Sequence, residues 1–370
     1  MSAYKGTLPA TPLRFSAGME APEENEAETN ASLIEQLLKI SQTTFEHSGH
    51  AMRSVHAKSH GVLRGELTVL DGLPPELAQG LFARPASYPV AMRFSTLPGD
   101  ILDDSVSTPR GLAVKVVGVE GARLAGSEGD VTQDFVLVNG PAFSAPTPAK
   151  FLGNLKLLAA TTDTAEGAKK VLSAVARGTE AVIEAFGGKS PTITTMGGQA
   201  ETHILGETFY SQVPILYGDY VAKVSVAPIF DLSTLTDAPL DANGNPDALR
   251  SAVAEHFARK GGEWEVRVQL CTDLATMPIE DASVVWPEDA SPYIAVARLT
   301  VKPQPSWDPA AVAAIDEGLA FSPWHGLAAH RPLGGVNRAR NTTYTSSAEF
   351  RSRHNGCPMH EPKAAADLKG

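Results

Sequence analysis

A series of short apolar segments, broken by glycine and proline, is the feature that most constrains this fold. Residues 65–70 alternate apolar and polar side chains, as a half-buried strand does. Residues 91–95, 110–117 and 133–138 read as further strands, and a proline-rich stretch around Pro74, Pro75, Pro85 and Pro89 separates the first two segments. Strands resume at residues 207–212, 220–227, 263–271 and 293–301. Polar residues embedded in such strands decide whether they carry chemistry.

Helical signals flank and interrupt this pattern. Leu33, Ile34, Leu37, Leu38 and Phe45 recur near helical spacing within residues 31–47, with Asn30 or Ser32 available as a cap. Residues 151–160 and 168–186 are rich in Ala, Leu, Lys and Glu and predict a helical insertion at about 150–190. The run Gly187-Gly188-Lys189-Ser190 lacks the upstream glycine of a phosphate loop, since Ile183 stands there. A helix opening with Pro309 runs to residue 319, a Trp/His/Pro-rich loop covers 321–336, and a last helix covers 337–354 despite the Thr342-Thr343 pair. No internal repeat is visible. The organisation is then a polar acidic N-terminal arm over 1–30, one domain over 31–355, and a tail over 356–370.

With 370 residues, 43% hydrophobic and 20% charged, the chain can bury a large core, and barrel folds often run this long as one unit. Its 31 Lys and Arg against 42 Asp and Glu give a net charge of −11. That balance excludes nucleic acid and anionic membranes as main partners, because both require a basic surface. Glu20, Glu23, Glu24, Glu26 and Glu28 crowd the arm and are read as solvated. There are 2 cysteines, Cys271 and Cys357, too few for a disulfide framework. Neither a signal peptide nor a bilayer-length apolar run is found, so a cytoplasmic location is expected and the sequon Asn341-Thr342-Thr343 is a chance match.

The chemistry concentrates in a few stretches. Arg340 precedes Tyr344 by one helical turn, so both share a face. A phenol ligates iron well only when ionised, against a usual pKa of about 10, and a neighbouring arginine, always charged, favours the anion. His56 lies in Arg53-Ser54-Val55-His56-Ala57-Lys58. A neutral imidazole near pH 7 suits a base that moves a proton between two oxygens.

Val55-His56-Ala57-Lys58, Arg93-Phe94-Ser95-Thr96, Pro109 to Lys115, Asn139-Gly140-Pro141-Ala142-Phe143, Val285-Trp286-Pro287 with Ala297-Arg298-Leu299, and Arg340 to Tyr344 together resemble the catalase superfamily, in that family's order, from about residue 50 to 346. The resemblance implies an α+β fold, a catalase-like antiparallel β-barrel with surrounding helices and an N-terminal arm. It implies haem b, with Tyr344 as the axial iron ligand supported by Arg340. It makes His56 the distal base and Asn139 an amide donor to the peroxide. Ser95 would fix the tautomer of His56, and Val55 would narrow the approach. Arg53 and Arg93 would neutralise the haem carboxylates, and Phe143 and Phe151 would pack on the porphyrin.

The departures matter too. Phe143 is followed by Ser144-Ala145-Pro146-Thr147 where the family usually has Phe-Ile-Arg-Asp, and the tail after Tyr344 lacks the usual continuation. The chain looks like a small, catalase-related haem protein without the C-terminal helical part. The activity implied is reduction of hydrogen peroxide or organic hydroperoxides through an oxoferryl intermediate discharged by a small organic donor or a second peroxide. Alternatives are a fatty-acid hydroperoxide isomerase or lyase, whose relatives carry threonine where Val55 stands, and a non-catalytic haem-binding protein. Homo-oligomerisation is expected by family habit, with the arm as the element that would wrap a neighbour.

Overall fold

The computed structural model describes residue 4 and residues 6–9, 11–161 and 199–368. Its strands are β1 (Ser59–Val69), β2 (Ser87–Thr96), β3 (Arg110–Val117), β4 (Thr132–Val138), β5 (Phe209–Tyr210), β6 (Ile215–Tyr217), β7 (Tyr220–Ile229), β8 (Gly262–Leu270) and β9 (Ile294–Val301). They form one 9-stranded sheet in the order β5-β4-β3-β2-β1-β9-β8-β7-β6, and an extra β5–β7 pairing closes it. Leaving out β6, a hairpin partner of β7, the closed ring has eight strands (9 − 1), and every pairing is antiparallel. The closure hangs on a short contact, Phe209 opposite Val226 and Tyr210 opposite Ser225.

Strand alternation sorts the residues. On β2, Val90, Met92 and Phe94 join the barrel interior, while Ala91 belongs to a separate cluster on the outer face, which puts Arg93 and Ser95 outside as well. The interior is filled: Phe94 meets Phe209 edge-on at 5.9 Å and Trp264 at 6.2 Å, and Leu112, Val114, Val224 and Val266 complete the packing. An eight-stranded barrel is just wide enough for side chains to fill. Chemistry therefore has to sit on the outer face.

Helices cover that face. Leu33, Leu37 and Ile40 of α1 (Glu26–Ser48) pack with Leu155 of α2 (Pro148–Thr161). Ala339 of α5 (Gly335–Asn355) closes the same cluster. Helix α3 (Ala248–Phe257) lies on β1. Helix α4 (Pro309–Ala311), capped by the Asp308 carboxylate on the Ala311 N–H at 3.0 Å, runs into a π-helical turn, Val312–Glu317. Ile315 and Leu319 then bury against Val62, Ala91 and Val117 outside the barrel.

Several expectations need correction. Helix α1 starts at Glu26 rather than residue 31, with Asn25 at its N-cap in place of Asn30 or Ser32; Glu26 and Glu28 in its first turn complement the helix dipole. Glu23, Glu24 and Glu28 of the acidic arm are exposed as expected, but Glu20 and Glu26 are not. Glu20 accepts from Arg331 at 2.8 Å and Arg338 at 2.9 Å, and Arg338 also pairs with Glu26 and Glu280. Leu13, Phe15 and Met19 pack on Cys271, Met277 and Trp286, so the arm is bound to its own barrel. The helix expected over 309–319 gives way to the π-turn, α3 was not among the expected elements, and the run 168–190 lies outside the described residues. Thr343 is tolerated in α5 because its hydroxyl donates to the Ala339 carbonyl at 3.0 Å. Among the described residues no helix is long and apolar enough to cross a membrane.

Phe94 is fully buried where β2 meets the barrel centre. Phe94→Ala should cost about 3–5 kcal/mol in denaturant unfolding, and a loss under about 1 kcal/mol would contradict a filled interior.

Candidate active site

The chain between α1 and β1 is held to the end of β2 by its backbone. The His56 N–H donates to the Leu97 carbonyl at 2.7 Å and the Ala57 N–H to the Pro98 carbonyl at 3.0 Å. Lys58, 2% exposed, sends its ammonium to the Leu102 carbonyl at 2.7 Å and to Asp104 at 2.8 Å. Between these anchors His56 adopts φ 55°, the left-handed region that non-glycine residues seldom enter. Its Nδ1 lies 3.1 Å from the Ser95 hydroxyl. Ser95 faces Gly111 across the β2–β3 ladder, and a Cβ on Gly111 would come within 2.6 Å of the imidazole. Only glycine leaves room for the ring there.

Burial, then the charges of Arg93, Arg340 and Arg53, push the His56 pKa down to about 3. The ring is therefore neutral at physiological pH, with Nδ1 engaged by Ser95 and Nε2 without a hydrogen-bond partner among the described residues. In the tautomer whose Nδ1–H donates to Ser95, Nε2 is an imine nitrogen that can accept a proton and hand it on.

Asn139 stands one rung further. Val138 pairs with Gly111, and the Asn139 N–H donates to the Arg110 carbonyl at 3.0 Å. Its side-chain Oδ1 accepts from the Arg110 backbone N–H at 2.8 Å, and its Nδ2 donates to Glu207 at 3.1 Å. One amide hydrogen remains. Glu207 was not among the expected site residues.

Arg53 and Arg93 converge on Asp316 in the π-turn, Arg53 through Nη1 at 2.8 Å and Arg93 through Nε. A third guanidinium, Arg351 of α5, donates to the Asp316 carbonyl at 3.1 Å and the Glu317 carbonyl at 2.8 Å. Burial alone would raise the Asp316 carboxyl, but the charges of Arg93 and Arg53 hold it down at about 2. Three guanidiniums face the carboxylates of Asp316 and Glu317, so positive charge remains in excess. The sequence reading did not include Arg351, although it lies seven residues, two helical turns, past Tyr344.

Tyr344, Val55, Arg53, Arg351, Leu37 and Phe321 line a cavity of about 610 Å³, well inside the range of cofactor pockets. Arg340 shares the α5 face of Tyr344; its guanidinium sits 5.8 Å from the Phe143 ring and 3.5 Å from the Asn337 side-chain oxygen. Phe143 and Phe151 pack on each other at 4.9 Å; like His56, Ser95, Arg93, Asn139 and Arg340, they do not themselves line this cavity. The tail supplies wall instead: Met359 and Glu361 line the cavity, and Glu361 reaches Lys115 at 2.8 Å, Thr132 at 2.9 Å and His325 at 3.1 Å. The donor set is compatible with a porphyrin: a phenol on one wall, apolar Leu37, Val55 and Phe321, and guanidiniums at Arg53 and Arg351 for carboxylates, with Asp130, Glu349 and Glu361 on the same wall.

A native pKa near 3 lies below the usual histidine value, so the unfolded chain takes up the proton first and stability falls as pH drops from about 6.5 toward 3. In the haem-free protein the His56 ring resonances, assigned with His56→Gln, should not titrate between pH 5 and 8. A midpoint near 6.5 would contradict this environment.

No protein-family model matches the sequence, and no curated protein matches it. Solved structures do. The chain superposes on a fungal catalase with TM-score 0.60 at 19% identity, covering 100% of this chain and 71% of that one. Catalase A from Saccharomyces cerevisiae gives 0.59 at 18%, covering 98% and 71%, and a bacterial catalase gives 0.56 at 18%, covering 96% and 68%. At such identities the likeness is one of architecture. The closed antiparallel barrel and the helices around it are the catalase fold.

Proposed function

We propose that this protein is a haem b oxidoreductase of the peroxidase or catalase type, which reduces hydrogen peroxide or organic hydroperoxides. What carries the reading is one cavity walled by Tyr344 from a late helix and by Val55, the residue before a neutral His56, from an early turn.

When bound, haem supplies a ferric iron that takes up the peroxide and the redox capacity to reduce it. The protein's part is charge and position. Tyr344 would offer its phenolic oxygen to the iron, with Arg340 one turn earlier on the same helix. Arg53 and Arg351, which line the cavity, would receive the porphyrin carboxylates, with Arg93 behind them on Asp316. His56 Nε2 takes the proton from one peroxide oxygen and returns it to the other, so that the second oxygen leaves as water or alcohol. Ser95 keeps Nδ1 occupied, which leaves Nε2 as the working nitrogen. The remaining Asn139 N–H holds the peroxide, and Val55 restricts the approach to small oxygens. The two electrons come from a small organic donor in the peroxidase reaction or from a second peroxide in the catalase reaction.

After reconstitution with haemin, the wild type should show a tyrosinate-ligated ferric Soret band that Tyr344→Phe loses. His56→Ala should slow peroxide consumption by about 10²–10⁴-fold. Wild-type turnover no faster than free haemin, or near-normal turnover in His56→Ala, would overturn the reading.

A further inference from the structure

We infer that Glu207 is a positioning residue for the distal side: it fixes the side-chain amide of Asn139 in one orientation and leaves a single N–H for the peroxide. The inference rests on the haem reading above.

A primary amide has two ends of similar shape, and its surroundings decide which is which. At Asn139 both neighbours make the same choice. The Arg110 backbone N–H, a donor only, lies 2.8 Å from Oδ1, and the Glu207 carboxylate, which accepts when ionised, lies 3.1 Å from Nδ2. Turning the amide over would set oxygen against oxygen at Glu207 and N–H against N–H at Arg110. Each clash would leave a buried polar group unpaired.

Glu207 is itself immobilised. Its other oxygen accepts from Arg110 Nη1 at 2.8 Å and from the Thr202 hydroxyl; the Arg110 and Glu207 side chains are 3% and 15% exposed. Arg110 thus serves the unit twice, with its backbone N–H to Asn139 and its guanidinium to Glu207. The residue after it is Gly111, against which the His56 imidazole packs, so the pinned amide and the base are referenced to one stretch of β3. Barrel closure brings Glu207 into place. It lies two residues before β5, whose Tyr210 pairs with Val138, the residue before Asn139.

The rival account is that Glu207 is only a counter-ion for the buried Arg110. A double-mutant cycle separates the two. Haem-reconstituted wild type, Asn139→Ala, Glu207→Ala, Glu207→Gln and the Asn139→Ala/Glu207→Ala pair are compared in kcat/KM for hydrogen peroxide and in cyanide affinity of the ferric form. Glu207→Ala should lower kcat/KM by about tenfold or more, and the double variant should be no slower than Asn139→Ala alone. Cyanide affinity should follow the same non-additive pattern. Additive losses in the double variant, or wild-type rates in Glu207→Ala, would overturn the inference. The volume-conserving Glu207→Gln keeps the test open if the alanine variant fails to fold. The haem-free protein separates failure here from failure of the haem reading. Its Asn139 side-chain amide signals should move in Glu207→Gln while backbone amides along β2 to β4 stay in place. If those signals do not move, Glu207 does not position the amide, whatever the activity.

Discussion

One buried carboxylate ties the outer shell to the barrel. Asp316 is engaged by Arg53 from the turn before β1 and by Arg93 from β2, while Arg351 from α5 holds the carbonyl of the same residue. Guanidiniums this deeply buried would repel one another without it, and removing one partner of a buried ion pair commonly costs about 3–5 kcal/mol. The cluster is therefore first a structural joint. It retains surplus positive charge beside the cavity, so the same joint can accept anionic groups without new cations being brought in. The π-turn carrying Asp316 inserts an extra residue into the helical turn and re-aims its side chains, a distortion that recurs at functional sites.

The strained histidine follows from that frame. A non-glycine residue in the left-handed region costs on the order of 1–3 kcal/mol and persists only where its surroundings over-determine it. Here backbone bonds to Leu97 and Pro98, the Arg93 bond to the Ala57 carbonyl at 3.1 Å, and the buried Lys58 anchor supply that constraint. Burial first, and then the charges of Arg93, Arg340 and Arg53, keep His56 uncharged, so Arg93 both supports the turn and tunes the ring.

Much of this was legible in the sequence because strands and long helices are local patterns. β3 was expected at 110–117 and is found as Arg110–Val117, and α5 needed only its ends adjusted. The pairing of His56 with Ser95 was expected and is present at 3.1 Å. What escaped depends on contacts between distant segments. Asp316 sits in a helical turn whose π geometry has no sequence period to announce it. Glu207 reaches Asn139 only because a two-residue strand closes the barrel. Within the acidic arm Glu23, Glu24 and Glu28 are solvated as charge runs usually are, but Glu20 is drawn in by Arg331 and Arg338, more than three hundred residues away.

The cavity wall has a further consequence. Among the described residues it combines residues from Leu37 to Val55 with residues from Ala320 to Glu361, and between them only Gly126 and Asp130 contribute. A growing polypeptide emerging from a ribosome therefore owns only the smaller part of this wall until residues 320–361 appear. Whatever this pocket holds can be captured only after residues 320–361 have been made.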